Sequence, residues 1–182
     1  MKMKNIRFRY VFVCFLGLIL VFGLSVSWIK FMLNISGSEP VGLYLVRTDI
    51  PNVISRGTFV VSCIPIKYAD IAFHRTYLRA SDQCPGHVIT VLKRIYAVPG
   101  DTVRLTRKAV IVNDHPIPGT KRLSVDTRGN PVPHEKIDGK ISGYLLLAAK
   151  YRLSFDGRYF GPVDRSFIKG IALPVLTFRR NK

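Results

Sequence analysis

The stretch NISGSEPVGLY, residues 34–44, contains Ser38, the serine that is the best candidate for a catalytic nucleophile. It places two serines, two glycines and a proline between an apolar N-terminal run and a run rich in β-branched and aromatic residues. This composition predicts a tight loop that leads into a strand and presents Ser38 close to a membrane surface. A serine hydroxyl is a poor nucleophile unless a neighbouring base removes its proton. If Ser38 is a nucleophile, another residue of the chain must act as that base.

Two kinds of side chain could be this base. The four histidines lie in no recognisable motif, and surface or loop positions are the simpler interpretation of His74, His87, His115 and His134. A lysine can serve if burial lowers its pKa so that it is neutral near the working pH. Lys93 is the candidate because it lies inside VLKRIYAV, residues 91–98, a run otherwise suited to a buried strand. Alternation puts Lys93 and Arg94 on opposite faces. On the pattern alone, an edge strand with both charges at the surface is the simpler interpretation.

The N-terminal part predicts a membrane anchor. Residues 10–27 contain no charge, and with the apolar residues up to position 33 the run is long enough for a tilted spanning helix. Basic residues and no acidic residue precede it, which places the N-terminus in the cytoplasm. We therefore predict a cytoplasmic tail at 1–9, a single transmembrane anchor at 10–33 in the bacterial inner membrane, and a periplasmic domain at 34–182. A cleaved signal peptide is the alternative, but the run is long for one and no Ala-x-Ala site follows.

The charge of the chain restricts its partners. It has 28 Lys and Arg against 11 Asp and Glu, a net charge of +17. Such a balance suits nucleic acid or an anionic membrane surface. No zinc-finger spacing and no aromatic RNA-binding pattern is present, so we expect the lipid bilayer and not nucleic acid.

Cys63 and Cys84 lie 21 residues apart, without a CxxC motif or zinc-type spacing. In an exported domain an oxidised pair is the natural interpretation, and two separate buried thiols are nearly as plausible. We predict no metal site and no cofactor.

The rest of the chain favours β structure. Candidate strands lie at 41–47, 57–64, 88–98, 102–107, 109–113, 144–149 and 170–178, with a short helix at 68–80, a turn at 113–114 and a surface loop at 120–143. Short strands separated by Gly and Pro predict a mainly β, antiparallel domain of sandwich or barrel type.

Three short boxes resemble the signal peptidase I superfamily of membrane-anchored serine proteases. They are SGSEP at 36–40, KR at 93–94 followed by PGD at 99–101, and SFDGRYFG at 154–161. Within the superfamily, the chain is most similar to the TraF-type conjugative transfer peptidases, through SEPVGLY at 38–44, the two cysteines, and CPG at 84–86 leading into LKR at 92–94. Glu39 and Gly157 depart from the usual family residues at their positions.

The resemblance implies a signal-peptidase-like β domain and a Ser–Lys dyad, with Ser38 as nucleophile and Lys93 as general base. Ser154 would hydrogen-bond and orient the lysine amine, and Ser36 would contribute a hydroxyl to the oxyanion hole. Asp156 and Arg158 would form a structural ion pair near the site.

The resemblance also implies a pilin precursor as substrate and, if the precursor's own amine resolves the acyl-enzyme, a cyclic product. Two other functions are open: a general type I signal peptidase that removes leader peptides, and a non-catalytic scaffold of a type IV secretion complex. A scaffold has no need of an inward-facing lysine beside a serine.

Overall fold

The computed structural model describes residues 12–15, 17 and 28–178. Residues 12–15 and 17 are helical, and the remainder is mainly β, as predicted. Within residues 28–178 two short helices are present, α1 at Ala69–His74 and α2 at Gly157–Phe160, with 3₁₀ turns at Ile66–Tyr68 and Arg165–Phe167. The strands are β1 Ile29–Asn34, β2 Val41–Arg47, β3 Phe59–Ser62, β4 Ala80–Cys84, β5 Val91–Ala97, β6 Thr102–Leu105, β7 Val110–Val112, β8 His115–Ile117, β9 Asp138–Lys140, β10 Leu145–Leu147 and β11 Ile168–Phe178.

Two antiparallel sheets form the domain. The larger has the strand order β1-β2-β11-β3-β5-β10, and the smaller has the order β8-β7-β6-β9. Strand β5 lies between β3 and β10, so its central residues are covered on both sides by backbone. Val91, Leu92, Lys93 and Ile95 of β5 are buried, so a charge at such a position must be neutralised or find a partner.

The sequence prediction was wrong or incomplete at several boundaries. The predicted helix at 68–80 ends early, because the backbone turns after α1 and Thr76 adopts a φ of 56°. The predicted surface loop at 120–143 contains β9, which pairs with β6. Strand β8 was not predicted. It follows a two-residue turn in which Asn113 and Asp114 have φ values of 47° and 63°, the left-handed backbone that a tight hairpin requires.

The C-terminal end of the predicted anchor is corrected by strand β1. Residues 29–33 are extended and pair antiparallel with β2, in a register that joins Ile29 to Arg47 and Leu33 to Leu43. Backbone groups that bond to a neighbouring strand cannot also form a helix, so an anchor helix has to end before Ile29. No helix within the described residues is long and apolar enough to cross a membrane. The predicted tail at 1–9 and most of the anchor lie outside the described residues.

Cys63 and Cys84 are joined in a disulfide. The bond connects the end of β3 to the end of β4, and α1 lies in the intervening segment. The sequence did not decide between a disulfide and two separate thiols, and the structure has the disulfide.

Gly42 allows β2 to pass close to both neighbouring strands. It pairs with Asn34 on β1 and with Thr177 on β11, and its φ is 148°. A Cβ atom at this position would lie 2.0 Å from the Leu176 carbonyl oxygen. Because that oxygen belongs to backbone within a sheet, it cannot easily move away. Strand β2 therefore requires glycine at this position.

We predict that Gly42→Ala lowers the free energy of unfolding by about 2 kcal/mol or more, since it combines backbone strain with a steric clash. Denaturant unfolding of the purified chain measures this loss. Gly57→Ala is the control, because Gly57 also has a positive φ, of 85°, but open space around it. Equal losses in the two variants would show that strain alone, and not the contact with β11, decides the effect.

Candidate active site

The loop that carries Ser38 is held in place by Asn34. The Asn34 side-chain amide donates hydrogen bonds to the carbonyl oxygens of Glu39 at 3.2 Å and Pro40 at 2.9 Å, and its Oδ1 accepts one from the Ser36 N–H at 3.1 Å. The buried Tyr44 hydroxyl donates to the same Pro40 carbonyl at 2.8 Å. These bonds close the loop against the ends of β1 and β2, so the position of the Ser38 hydroxyl is fixed by both strands.

Lys93 lies in the middle of β5 and points into the domain. Its side chain is only 5% exposed, and its Nζ is 2.9 Å from the Ser38 Oγ, to which it donates a hydrogen bond. Arg94 points to the other face, where its guanidinium lies 4.3 Å from the centre of the Phe59 ring. Of the two adjacent charges it is therefore the lysine that lies inside, and the fold brings it to a serine 55 residues earlier in the chain.

The surroundings of Lys93 favour its neutral form. Burial lowers the pKa of the Lys93 amine, because the charged form loses its hydration, and the Arg158 charge lowers it further. The negative charges of Asp156 and Glu39 oppose this shift without reversing it. A lysine whose pKa is lowered becomes neutral at a lower pH. A neutral amine within hydrogen-bond distance of a hydroxyl can accept its proton as the oxygen attacks an electrophile.

Ser36 lies beside the nucleophile candidate. Its Oγ is 3.0 Å from the Ser38 Oγ, and its side chain is exposed at the surface of the loop. An exposed hydroxyl at this distance can turn to donate a hydrogen bond to a group that approaches Ser38 from solvent.

Asp156 and Arg158 form a fully buried ion pair. Arg158 Nε donates to Asp156 Oδ1 at 2.9 Å, and Arg158 Nη2 donates to Asp156 Oδ2 at 3.0 Å. Asp156 also accepts from the Ala148 N–H at 2.9 Å and caps α2 by accepting from the Arg158 N–H. Two parallel bonds and further backbone partners satisfy both charges, which is what burial of an ion pair requires.

A model of the family described as signal peptidase, peptidase S26, matches residues 4–176. The chain belongs to the peptidase S26 family. This match confirms the resemblance seen in the three boxes and supports a serine peptidase.

Relatives of this S26 peptidase include the plasmid transfer protein TraF of Escherichia coli, 37% identical over 149 residues that cover 80% of this chain and 82% of the relative. The conjugal transfer protein TraF of Agrobacterium fabrum is 31% identical, with 81% of this chain and 83% of the relative covered. A probable conjugal transfer protein TraF of Sinorhizobium fredii is 34% identical, with 85% of this chain and 82% of the relative covered. The similarity therefore spans most of both partners in each comparison.

Ser154 differs from what the resemblance implies. The hydroxyl is buried, but the Lys93 amine bonds to Ser38, and the Ser154 Oγ has no hydrogen-bond partner among the described residues. The Ser154 backbone N–H instead donates to the Tyr151 carbonyl at 3.1 Å and closes the turn before α2. The expected bond from Ser154 to the lysine amine is thus absent from this structure.

Glu39 lies in the S26 site, and the sequence marked it only as a departure from the usual family residue. It follows the nucleophile candidate directly and is half-buried, and its carboxyl interacts with the charges of Lys93 and Arg94. Burial raises the pKa of Glu39 to about 7, against the opposing effect of these two cations. A carboxylate after the serine in place of an apolar residue was the only signal in the sequence.

The histidines have local partners instead of Ser38. His74 lies beside Asp70 of its own helix, His87 beside Asp82, and His115 beside the Asn113 carbonyl oxygen. His134 packs near the Tyr159 ring. Within the described residues, no group of three or more His, Cys, Asp or Glu side chains is placed to hold a metal ion.

Proposed function

We propose that the chain is a membrane-anchored serine endopeptidase of conjugative transfer that processes a pilin precursor with a Ser38–Lys93 dyad. The observation that carries the proposal is the 2.9 Å contact between the Ser38 Oγ and the Nζ of a lysine that is 5% exposed. A buried lysine costs free energy unless it is neutral or paired, and an uncharged amine beside a hydroxyl is the arrangement that general-base catalysis needs.

The reaction begins as the neutral Lys93 amine takes the Ser38 proton while the serine oxygen attacks the scissile carbonyl carbon. The tetrahedral intermediate collapses when the C–N bond breaks, and the leaving amine takes the proton back from Lys93. An acyl-enzyme on Ser38 remains. Water, or an amine of the substrate itself, attacks the acyl carbon and gives its proton to Lys93. As the ester C–O bond breaks, Lys93 passes this proton to the Ser38 oxygen, and the serine hydroxyl and the neutral amine are both restored. Hydrolysis yields a linear product, and attack by the substrate's N-terminal amine yields a cyclic one.

The neighbouring residues support these steps. The Ser36 hydroxyl, 3.0 Å from the Ser38 Oγ, and the Ser38 backbone N–H would bind the negative oxygen of the tetrahedral intermediate. The buried Asp156–Arg158 pair would keep the Ser154 turn rigid behind Lys93. No metal ion or organic cofactor takes part in this scheme.

The relatives and the predicted anchor support the proposed substrate and location. The similar proteins are named as plasmid or conjugal transfer proteins, and a pilin precursor is the substrate that the TraF-type resemblance implies. The basic N-terminal residues and the uncharged run at 10–27 support a single-pass inner-membrane protein with a periplasmic catalytic domain. Such an enzyme would meet substrates that are themselves in the membrane.

The intact mass of the pilin tests this function in cells that carry the wild-type chain or Ser38→Ala. We expect unprocessed precursor in the variant and mature pilin in the wild type. A mature mass one water below that of the linear peptide would add cyclisation, and a linear mature mass would limit the enzyme to hydrolysis. Identical pilin in both strains would reject the pilin substrate. Accumulation of other secreted precursors would then indicate a general signal peptidase, and no accumulation would indicate a scaffold.

We predict that the cleavage activity of Glu39→Gln rises at a lower pH than that of the wild type. The midpoint of the rise should move down by about one pH unit. Activity rises as Lys93 loses its proton. An ionised Glu39, present above a pKa of about 7, stabilises the protonated lysine and so delays that loss. Glutamine removes the negative charge and keeps the shape. Cleavage rates measured between pH 6 and 10 for both proteins test this, and an unchanged profile would show that Glu39 does not act on the base.

A further inference from the structure

A cavity lined by basic residues includes part of the segment that leads to the Ser154 turn. It has a volume of about 720 Å³ and lies between the segment before β7, strand β8 with the residues that follow it, and the loop after β10. Of the described residues that line it, four are basic and none is acidic: Lys108, Lys121, Lys150 and Arg152. Apolar residues such as Ala109 and Ile117 complete the lining. It is a wide depression open to solvent, and all four basic side chains are exposed at its surface.

These four cations have no anionic partner in the described part of the chain. The same holds for exposed cations elsewhere, such as Lys136 and Lys140, and the four differ from these in surrounding one depression. No ion pair or side-chain hydrogen bond joins any of the four cavity cations to a described residue. Four like charges that face one concave surface repel each other, and an anionic ligand would relieve that repulsion.

The wall of this cavity is tied to the active site by Arg158. The Arg158 guanidinium donates to the carbonyl oxygens of Gly119 at 3.4 Å and Ala148 at 2.9 Å, which lie beside two sides of the cavity. The same guanidinium holds Asp156, whose charge acts on Lys93. Arg158 and Asp156 therefore connect one wall of the cavity to the surroundings of the proposed base.

We propose that this basic cavity binds an acidic segment of the polypeptide substrate while the scissile bond lies at Ser38. The assignment to the substrate rests on the proposed peptidase function. A flexible peptide can place carboxylates inside a concave surface, whereas a bilayer is flat on this scale and would contact only its rim. The apolar lining suits the aliphatic part of glutamate side chains, and the basic groups suit their carboxylates.

Binding of a dye-labelled hexaglutamate peptide to the full-length chain, with Ser38→Ala to prevent turnover, tests the cavity directly. A variant with all four cavity cations changed to Gln should bind at least about ten-fold more weakly, since each exposed charge pair contributes a small increment and four add together. The matched control changes Arg79, Lys136, Lys140 and Lys169, four exposed cations outside the cavity, to Gln. We expect the control to bind within about two-fold of the parent, because its charges lie elsewhere.

Equal weakening in the two variants would reduce the effect to net charge and overturn the proposal. Equal binding of hexaglutamate and hexaglutamine by the Ser38→Ala chain with all four cavity cations intact would also overturn the proposal. In nanodiscs, loss of peptide binding when phosphatidylglycerol replaces phosphatidylcholine would show that anionic lipid occupies the cavity instead.

A second measurement tests the substrate assignment in cells. Processing of the pilin precursor should slow by about five-fold or more in the cavity variant with Ser38 intact, and stay normal in the control variant. Normal processing by a cavity variant that has lost peptide binding would reject the substrate assignment. If the wild type does not process the precursor, the proposed function fails, and the peptide-binding result still decides whether the cavity is a site for acidic peptides.

Discussion

Replacing Lys93 with Met should lower the rate of precursor cleavage by about 10³-fold or more while the domain stays folded. Methionine fills a similar volume but has no basic nitrogen, so the Ser38 hydroxyl keeps its proton when it meets the substrate. The thermal unfolding midpoint should not fall, because the variant replaces a buried amine with an apolar group of similar size. Cleavage assays of the purified chain and a thermal unfolding scan measure the two quantities.

Lys169→Met is the control for this experiment. Lys169 is an exposed lysine on β11, and its replacement makes the same Lys-to-Met change away from Ser38. It should cleave at the wild-type rate. A Lys93→Met enzyme that retained substantial activity would show that another group activates Ser38.

Replacing Arg158 with Met should destabilise the domain by about 3–5 kcal/mol, the usual cost of leaving one member of a buried ion pair without its partner. Asp156 would remain completely buried, and Arg158 also bonds to the Ala148 carbonyl, which would lose its partner. The free energy of unfolding in denaturant measures the loss.

An exposed pair of the same type is the control. Arg47 pairs with Asp49 two positions along the chain, just as Arg158 pairs with Asp156, but both side chains are about half exposed. Arg47→Met should leave the unfolding midpoint nearly unchanged, because solvent screens exposed pairs. If Arg158→Met were equally mild, the buried pair would not be what holds the Ser154 turn.

Much of the site could be predicted because it rests on local sequence. Composition indicated the loop at Ser38, and strand β2 was predicted with the bounds it has in the structure, because alternation and turn residues are local signals. The sequence could not decide whether Lys93 or Arg94 points inward. That choice depends on β5 lying between β3 and β10, which is a long-range arrangement.

Other features could not be predicted for the same physical reason. Most of strand β1 lies in the run that the sequence predicts to be an apolar helix. A short apolar run fits a helix or a strand until its partner strand is known. The role of Asn34 depends on a chain reversal that returns the carbonyls of Glu39 and Pro40 to its side-chain amide. The free Ser154 hydroxyl and the half-buried Glu39 likewise depend on how separate segments pack.

The titration of Lys93 is the most direct test of the central claim, that a neutral lysine activates Ser38. Carbon-13 NMR of the ε-carbons of labelled lysines follows each amine as the pH changes, and Lys93→Met assigns the signal. We predict a midpoint clearly below about 10.4, the value of an ordinary lysine. The cause is the burial that lowers the pKa of the Lys93 amine. A midpoint at or above the ordinary value would mean that Lys93 is a charged structural residue and not the base.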